Sequence, residues 1–195
     1  GTDWRFFNGR FGFDFTYYNI NSQDQFISLP ALAGSGFTSY YVNAGEIINK
    51  GIEVTVDAYP IMGDFTWKTA FNFSANKNTV SELWPEDPGK RVDLGSSEGY
   101  YNYIVAGGSF GDLYGYKFLR NDAGQIILDA NKKPRKTALP ELMGSLDPDW
   151  RLGWNNDISY KQLSLGFLIN GVFVGNVVSQ TESMLDGAGV SKRSG

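Results

Sequence analysis

The stretch GIEVTVDA (residues 51–58) decides the fold, together with FTWKTAFNFS (residues 65–74), which follows a turn at residues 60–64. Apolar and polar residues alternate along both segments, and successive side chains of a β-strand point to opposite faces of its sheet. The two segments therefore predict a β-hairpin with one apolar, aromatic-rich face and one face of Glu, Thr, Asp, Asn, Ser and Lys.

A second hairpin of the same kind is predicted further along the chain. The segment WRLGWNNDISY (residues 150–160) turns at Lys161 and Gln162 and returns through LSLGF (residues 163–167). Residues 11–18 also alternate, with Phe and Tyr on one face. A sheet of this kind suits a soluble domain that covers one face. It equally suits an outer-membrane barrel with lipid on one side and water on the other.

The composition favours β structure and excludes several kinds of site. Charged residues make up 19% of the chain, below the roughly 25% of soluble domains, while aromatic residues reach 15%, which suits barrel strands. The chain has no Cys and no His, which excludes thiol catalysis, disulfides, and a His base or metal ligand. With a net charge of −4 and no basic stripe, it is not expected to bind nucleic acid. No cofactor or metal site is predicted.

The predicted connections are of two lengths. The hairpin turns at 60–64 and 161–162 are short, whereas the connections at 30–43, 76–111 and 175–195 are long. Outer-membrane barrels have short periplasmic turns and long extracellular loops, so this asymmetry favours a barrel. No helical period of useful length is found, and no run of about 18 apolar residues predicts a membrane-spanning helix.

Each predicted face has a characteristic set of side chains. The apolar face is expected to include Trp67, Trp150 and Trp154. Lys50 and Lys68 lie on or near the same strands and could pair across the sheet with carboxylates of a hydrated wall on the polar face. Those carboxylates belong to Asp14, Glu53 and Asp57.

Several segments together resemble one protein family. VNAGEIINKGIEVTVDAYPI (residues 42–61) with FTWKTAFNFSANKNTVSEL (residues 65–83) resembles the SusC/RagA family of TonB-linked outer-membrane transporters. RFFNGRFGFDFTYYNINSQDQ (residues 5–25) is similar to the same family, and residues 107–129 and 147–179 look like later blocks of its barrel. The blocks follow the family order and cover nearly the whole chain.

The resemblance implies a fold, a place and a function. The implied fold is all-β, an antiparallel meander of amphipathic hairpins within a transmembrane β-barrel of about 22 strands. Residues 1–195 are expected to be an internal fragment of about eight strands, without the plug and the remaining strands. The implied role is non-enzymatic import of a bulky oligosaccharide or peptide across the outer membrane. Implied partners are outer-membrane lipid, a SusD-like surface lipoprotein, and TonB acting through the plug.

An aromatic stretch supplies the candidate site for solute contact. Trp84, Tyr100, Tyr101 and Tyr103 lie in Gly-rich, loop-like surroundings. The stretch continues through Phe110, Tyr114 and Tyr116. Aromatic faces stack on sugar rings and a Tyr adds a hydroxyl, so these residues are expected to line an extracellular vestibule. The alternative is an interfacial aromatic girdle or ordinary loop packing.

Two other functions compete with transport. A soluble β-sandwich module could bind carbohydrate through the same Tyr-rich stretch. A secreted glycosidase would need paired carboxylates, and the acidic residues of segments 82–87 and 141–149 are candidates, although neighbouring prolines predict solvated turns there. The GGSFG segment (residues 107–111) lacks the Lys and Ser/Thr of a phosphate-binding loop, and we expect residues 121–124 to form a simple turn.

Overall fold

The computed structural model describes residues 1–31, 34–83, 91–97 and 99–192, and most of these residues lie in β-strands. The all-β prediction is confirmed. The strands are β1 Thr2–Phe6, β2 Phe11–Pro30, β3 Ser39–Ile61, β4 Phe65–Glu82, β5 Val92–Ser97, β6 Tyr100–Ile104, β7 Asp112–Gly115, β8 Glu141–Ser145, β9 Trp150–Tyr160 and β10 Leu163–Phe173, followed by the helix α1 Gln180–Gly187.

The strands form two antiparallel sheets. The larger sheet has the order β1-β2-β3-β4-β9-β10, and the smaller has the order β5-β6-β7-β8. Neighbours in each sheet are therefore consecutive along the chain, except where β9 pairs with β4 after the chain has built the smaller sheet. This is the predicted meander of hairpins.

The chain divides into two compact units. Unit 1 contains residues 1–22, 47–79 and 148–175, and unit 2 contains residues 23–46, 80–147 and 176–195. Strands β2, β3 and β4 are 20, 23 and 18 residues long and contribute to both units. A tilted strand crosses a bilayer with about 9 to 11 residues, so these three strands are about twice that length.

Both predicted hairpins are confirmed, and both extend further than the sequence indicated. Strands β3 and β4 meet at a turn in residues 62–64, where the Thr66 hydroxyl donates to the Gly63 carbonyl over 3.0 Å. Strands β9 and β10 meet at the turn Lys161–Gln162, with Tyr160 opposite Leu163. The return strand reaches Phe173 because its pairing with β9 continues to Trp150.

Aromatic side chains line the apolar face of the larger sheet in unit 1. Phe71 and Trp154 are opposite each other in the register, and their rings stack at 5.4 Å with planes 5° apart. Trp150 stacks on Phe173 at 3.7 Å, and the register sets Trp67 on the same face opposite Ile158. The three tryptophans therefore share one face, as predicted.

The buried apolar side chains lie mostly in unit 2. Among the large apolar residues that the structure describes, those under 9% exposed are all in that unit: Val80, Leu83, Val92, Tyr103, Ile104 and Leu113. In unit 1, Ile47 alone in the described chain comes close, at 9% exposed. The larger sheet thus does not bury its apolar face in a core of unit 1.

Two predictions about the connections were incomplete or wrong. The segment predicted as a long loop at 76–111 contains the end of β4 and all of β5 and β6. The segment predicted as a long connection at 175–195 contains α1, whose N-terminus is capped by the Ser179 hydroxyl accepting from the Glu182 amide at 3.3 Å. Within the described residues, no helix has the length and apolar character needed to cross a membrane.

Candidate functional site: the tyrosine cluster of unit 2

Four tyrosines pack together on the smaller sheet, and we call Tyr101, Tyr103, Tyr114 and Tyr116 the tyrosine cluster. The rings of Tyr101 and Tyr103 stack at 5.6 Å with planes 10° apart. Tyr116 meets Tyr101 edge-on at 5.8 Å, and Tyr114 meets Tyr103 edge-on at 5.3 Å. Both arrangements are favourable for aromatic pairs, so the four rings stabilise one another.

Strand geometry explains why these rings meet. Tyr101 and Tyr103 are two positions apart on β6 and therefore point to the same face. The pairing of β6 with β7 sets Tyr101 opposite Tyr114, which brings the β7 ring to that face. Tyr100 and Ile104 point to the opposite face of β6, and Ile104 is fully buried there. The alternation thus gives one wall of stacked tyrosines and one wall that packs into the core of unit 2.

Only part of the tyrosine cluster is open to solvent. Tyr103 is 6% exposed, whereas Tyr116 is 43% exposed. The Arg91 guanidinium lies over the Tyr103 ring, 4.0 Å from its centroid, and Arg91 itself is exposed. A cation at this distance over an aromatic face is attracted by the ring quadrupole. The surface available to a ligand is therefore formed by Tyr101, Tyr116 and Arg91, with Tyr103 and Tyr114 behind it.

Two hydroxyls of the tyrosine cluster, those of Tyr101 and Tyr114, have a raised pKa. A hydrogen bond with Tyr116 raises the pKa of Tyr101 above its ordinary value, with smaller contributions from nearby charge. Burial raises the pKa of Tyr114, and the neighbouring Asp112 carboxylate adds to this, while Arg91 acts in the opposite direction. At neutral pH these side chains are neutral hydrogen-bond donors on an aromatic surface.

The Gly-rich segment before β7 is an ordered turn whose polar groups bond within the chain. Asp112 is buried and accepts from the Ser109 amide at 2.9 Å, while the Ser109 hydroxyl donates to Asp147 at 2.7 Å. The Gly107 amide donates to the Val80 carbonyl at 2.7 Å. The segment therefore anchors β7 and its tyrosines. Nothing in the sequence pattern had singled out Asp112 for this role.

The turn predicted at residues 121–124 is also present. The Asn121 side-chain oxygen accepts from the amides of Ala123 and Gln125, at 3.1 and 2.9 Å. Residues 125–128 then pair back, with Arg120 opposite Ile126. The Asn121 oxygen is thus engaged within the turn.

The predicted site residues fall into three groups. Tyr101 and Tyr103 come together, as the shared strand face requires. Tyr100 lies half-buried on the other face of β6. Trp84 lies outside the described residues. The sequence had included Tyr114 and Tyr116 in the aromatic stretch without indicating that they pack on Tyr103 and Tyr101, because that contact depends on the β6–β7 register.

The polar face of unit 1 contains the residues that were predicted to form a hydrated wall. Arg5 reaches across Gly12 on β2 and contacts Asp57 on β3 at 2.6 Å. Tyr18 crosses Gly51 on β3 in the same way and donates to the Asn76 side chain at 3.2 Å. Glycines on the intervening strand leave room for these contacts. The polar wall is thus tied together across three strands at a time.

The expected pairing of two lysines with acidic residues of this wall is wrong. Lys68 lies on the polar face, but its ammonium sits over the Tyr59 ring at 5.7 Å, and it forms none of the salt bridges found in the described chain. Lys50 belongs to the opposite face, because its neighbour Gly51 faces Tyr18 and strand side chains alternate. Arg5, which the sequence had not singled out, is the cation that pairs with Asp57.

Comparison with known proteins gives the family. Residues 1–190 match the family model described as "TonB dependent receptor-like, beta-barrel". The chain is 30% identical over 93% of its length to "TonB-dependent receptor P3" of Formosa agariphila, and 38% identical over 61% of its length to "TonB-dependent receptor P39" of the same organism. It is 32% identical over 43% of its length to "TonB-dependent receptor SusC" of Bacteroides thetaiotaomicron.

Solved structures agree on the fold. A chain of the RagAB peptide transporter superposes with a TM-score of 0.63 over 84% of this chain, at 20% sequence identity. The chain spans 19% of that structure, 20% of receptor P3 and 8% of SusC. The relatives are receptors and transporters, so neither the glycosidase nor the soluble sandwich is supported. The chain belongs to the TonB-dependent receptors, is SusC-like, and forms part of the outer-membrane β-barrel of that family.

Proposed function

We propose that this chain is a wall segment of an outer-membrane importer for a bulky glycan, and that the tyrosine cluster contacts the glycan. The observation on which the proposal depends is the aromatic surface of the half-buried Tyr101 and the exposed Tyr116, backed by stacked rings and flanked by Arg91. A flat aromatic surface stacks on the apolar face of a sugar ring, and neutral Tyr hydroxyls hydrogen-bond its hydroxyls.

The proposal refines the set of contact residues. Tyr101 and Tyr116 touch the solute, while Tyr103 is a support because it is buried beneath Arg91. Tyr100 is expected to make no contact, since strand alternation points it away from the tyrosine cluster. Trp84 stays a candidate contact.

The remaining parts of the transporter are proposed from the family. We infer that residues 1–195 belong to a larger barrel with a plug, that TonB supplies energy through that plug, and that a SusD-like lipoprotein covers the extracellular side. A bulky nutrient needs a wide barrel, and a barrel of about 22 strands has a lumen closed by a plug. The plug must therefore move before the nutrient can pass. Co-purification of the lipoprotein with the complete receptor tests this assembly.

The test of the glycan contact compares two faces of one strand. Oligosaccharide binding to the complete receptor is measured by calorimetry in detergent, first with a panel of neutral oligosaccharides and then with the tightest binder. Tyr101→Ala combined with Tyr116→Ala is expected to weaken binding about tenfold, because two stacking surfaces are lost. Tyr100→Ala is the matched control and should bind as the parent does.

Two results would contradict the proposal. Equal losses in Tyr100→Ala and in the double variant would mean that the smaller sheet is merely destabilised. Unchanged glycan affinity in the double variant would remove the tyrosine cluster from the solute path. Binding of peptides, with no oligosaccharide in the panel bound, would replace glycan by peptide as the solute.

A further inference from the structure

A groove with two lysines lies on the apolar face of unit 1. It encloses about 510 Å³, and its lining includes Tyr17, Lys50, Ile52, Ala75, Lys77 and Asp149. Both lysines are exposed, and Tyr17 is 57% exposed. Cations on a surface otherwise covered by aromatic and aliphatic side chains need an explanation, because lipid disfavours unpaired charge.

The position of Lys50 on this face follows from its neighbours. The Tyr18 hydroxyl group lies directly over Gly51, which fixes Gly51 and Tyr18 on the polar face. Side chains alternate along a strand, so Lys50 and Ile52 point to the apolar face, and so does Tyr17. Lys77 follows Asn76, which bonds Tyr18 on the polar face, and therefore also points to the apolar face.

The two lysines oppose each other across neighbouring strands. Asn78 donates to Asn49 at 2.9 Å and Thr55 donates to Asn72 at 3.1 Å, and both bonds fit one antiparallel register of β3 and β4. That register sets Lys50 opposite Lys77. Like charges in directly opposed positions destabilise a sheet. An anion bound between the two ammonium groups would offset their repulsion.

No carboxylate of the described chain neutralises this pair. The salt bridges among the described residues involve Arg5 and Lys117, and neither Lys50 nor Lys77 takes part in one. Asp149 lines the groove but lies beyond salt-bridge distance of both lysines. The groove is therefore a cationic site with one acidic residue at its edge.

The groove lies at one end of the membrane-crossing part of the sheet. The short turns at residues 62–64 and 161–162 mark the other end, which is periplasmic in barrels of this kind. Lys50 is 11 residues from Ile61 and Lys77 is 12 residues from Phe65, so both are close to one membrane-spanning length of about 9 to 11 residues from the turn ends of β3 and β4. This is the level of the headgroups in the outer leaflet, where Lys and Tyr side chains meet phosphates.

We propose that this groove binds the phosphorylated headgroup of an outer-leaflet lipid. The phosphate lies between Lys50 and Lys77 and accepts a hydrogen bond from the Tyr17 hydroxyl, while the acyl chains follow the aromatic face toward the short turns. Two ammonium groups and a hydroxyl donor suit a phosphate, and the apolar face below suits its lipid tails. The inference depends on the outer-membrane location and not on the imported solute, so a failed glycan assay leaves it standing.

The test uses the complete receptor in detergent and native mass spectrometry. Phosphatidic acid is the probe, and diacylglycerol with the same acyl chains is the control without a phosphate. The receptor is expected to bind phosphatidic acid, with affinity reduced about tenfold or more in Lys50→Gln combined with Lys77→Gln, because each lysine near a membrane surface attracts an anionic lipid. Lys68→Gln, on the polar face, is the matched control and should leave lipid binding unchanged.

Asp149→Asn should tighten lipid binding severalfold, since it removes the only carboxylate that lines the groove among the described residues.

Several outcomes would overturn this proposal. If diacylglycerol binds as tightly as phosphatidic acid, the groove recognises tails and not a phosphate. If millimolar inorganic phosphate displaces the lipid completely, the ligand is a free anion. If the double lysine variant and Lys68→Gln lose lipid equally, the effect is one of total charge and not of this groove. Folding of each variant is checked by circular dichroism in the same detergent.

Discussion

At the residue scale, two tryptophans on the apolar face donate their indole N–H groups to polar side chains of the same face. Trp67 donates its indole N–H to the Asn156 side-chain oxygen at 3.0 Å, and Trp154 donates to the Thr69 hydroxyl at 2.8 Å. Asn156 is 1% exposed, so the rings cover the polar group that they bind. An indole N–H without an acceptor is costly in lipid, which explains why Asn and Thr occur on an otherwise apolar face.

The Trp67–Asn156 bond predicts a measurable coupling. Asn156→Leu should destabilise the complete receptor by about 1 to 2 kcal/mol, because it leaves the Trp67 N–H unpaired. In a Trp67→Phe background the same change should cost about 1 kcal/mol less. The free energy of unfolding is measured by urea titration in detergent, followed by circular dichroism.

The matched control for this coupling is Trp150→Phe. Trp150 stacks on Phe173 six positions from Asn156 along β9, too far to share its hydrogen bonds. Its effect should therefore add to that of Asn156→Leu. Additivity in the Trp67 pair as well would mean that the indole bond contributes nothing to stability.

At the element scale, a glycine allows β3 to pass close to β4. Gly45 has φ of +70°, a conformation that side chains with a Cβ rarely adopt, and a Cβ there would overlap the Glu82 carbonyl. The overlap is with backbone, so it cannot be relieved by rotating a side chain. Strand β3 continues through this position, as a strand with a bulge does.

Gly45→Ala should therefore separate two costs when compared with Gly9→Ala. Gly9 has φ of +83° but nothing within 4 Å of its Cβ position, so its substitution is expected to cost about 1 kcal/mol of backbone strain. Gly45→Ala should cost at least twice as much, because the β3–β4 pairing must also shift. Thermal unfolding of both variants in detergent provides the comparison, and equal losses would show that φ alone matters.

Whether an element could be predicted from the sequence depends on whether one of its faces is apolar. Strands β3, β4, β9 and β10 could be predicted because one face of each is apolar, so the alternation is visible in the sequence. Residues 76–82 are strand as well, yet every residue from Asn76 to Thr79 is polar, and only pairing with β3 makes the segment extended. Helix α1 has no buried residue, so no apolar period marks it.

The contacts of the candidate site could not be predicted from the sequence for a similar reason. Tyr101 and Tyr103 share a face because they are two positions apart on β6, but the sequence had indicated a loop there, so this face was not predicted. Their contacts with Tyr114 and Tyr116 depend on the β6–β7 register, which is set by the fold. The bond between Trp67 and Asn156 joins residues 89 positions apart, and no local pattern contains that information.

At the scale of the whole molecule, the larger sheet has two open edges and an uncovered apolar face. Strands β1 and β10 are its outermost strands, and β1 is exposed throughout. In β10, every residue except Gly171 is exposed. Unpaired strand edges are templates for association, and an apolar face of aromatic residues needs lipid or detergent as its solvent.

Residues 1–195 produced alone should therefore behave differently in buffer and in detergent. In buffer the chain is expected to aggregate, because neither the edges nor the apolar face of unit 1 can be buried within it. In detergent micelles the apolar face is solvated, and a β-type circular dichroism spectrum should appear, although the open edges should keep its unfolding less cooperative than that of the complete receptor. Size-exclusion chromatography and circular dichroism in both media provide the measurement, with the complete receptor in the same detergent as the control. A monomer with a cooperative β fold in plain buffer would mean that the chain covers this face by itself. The groove at Lys50 and Lys77 would then not be exposed to lipid, and the proposed lipid site would be wrong.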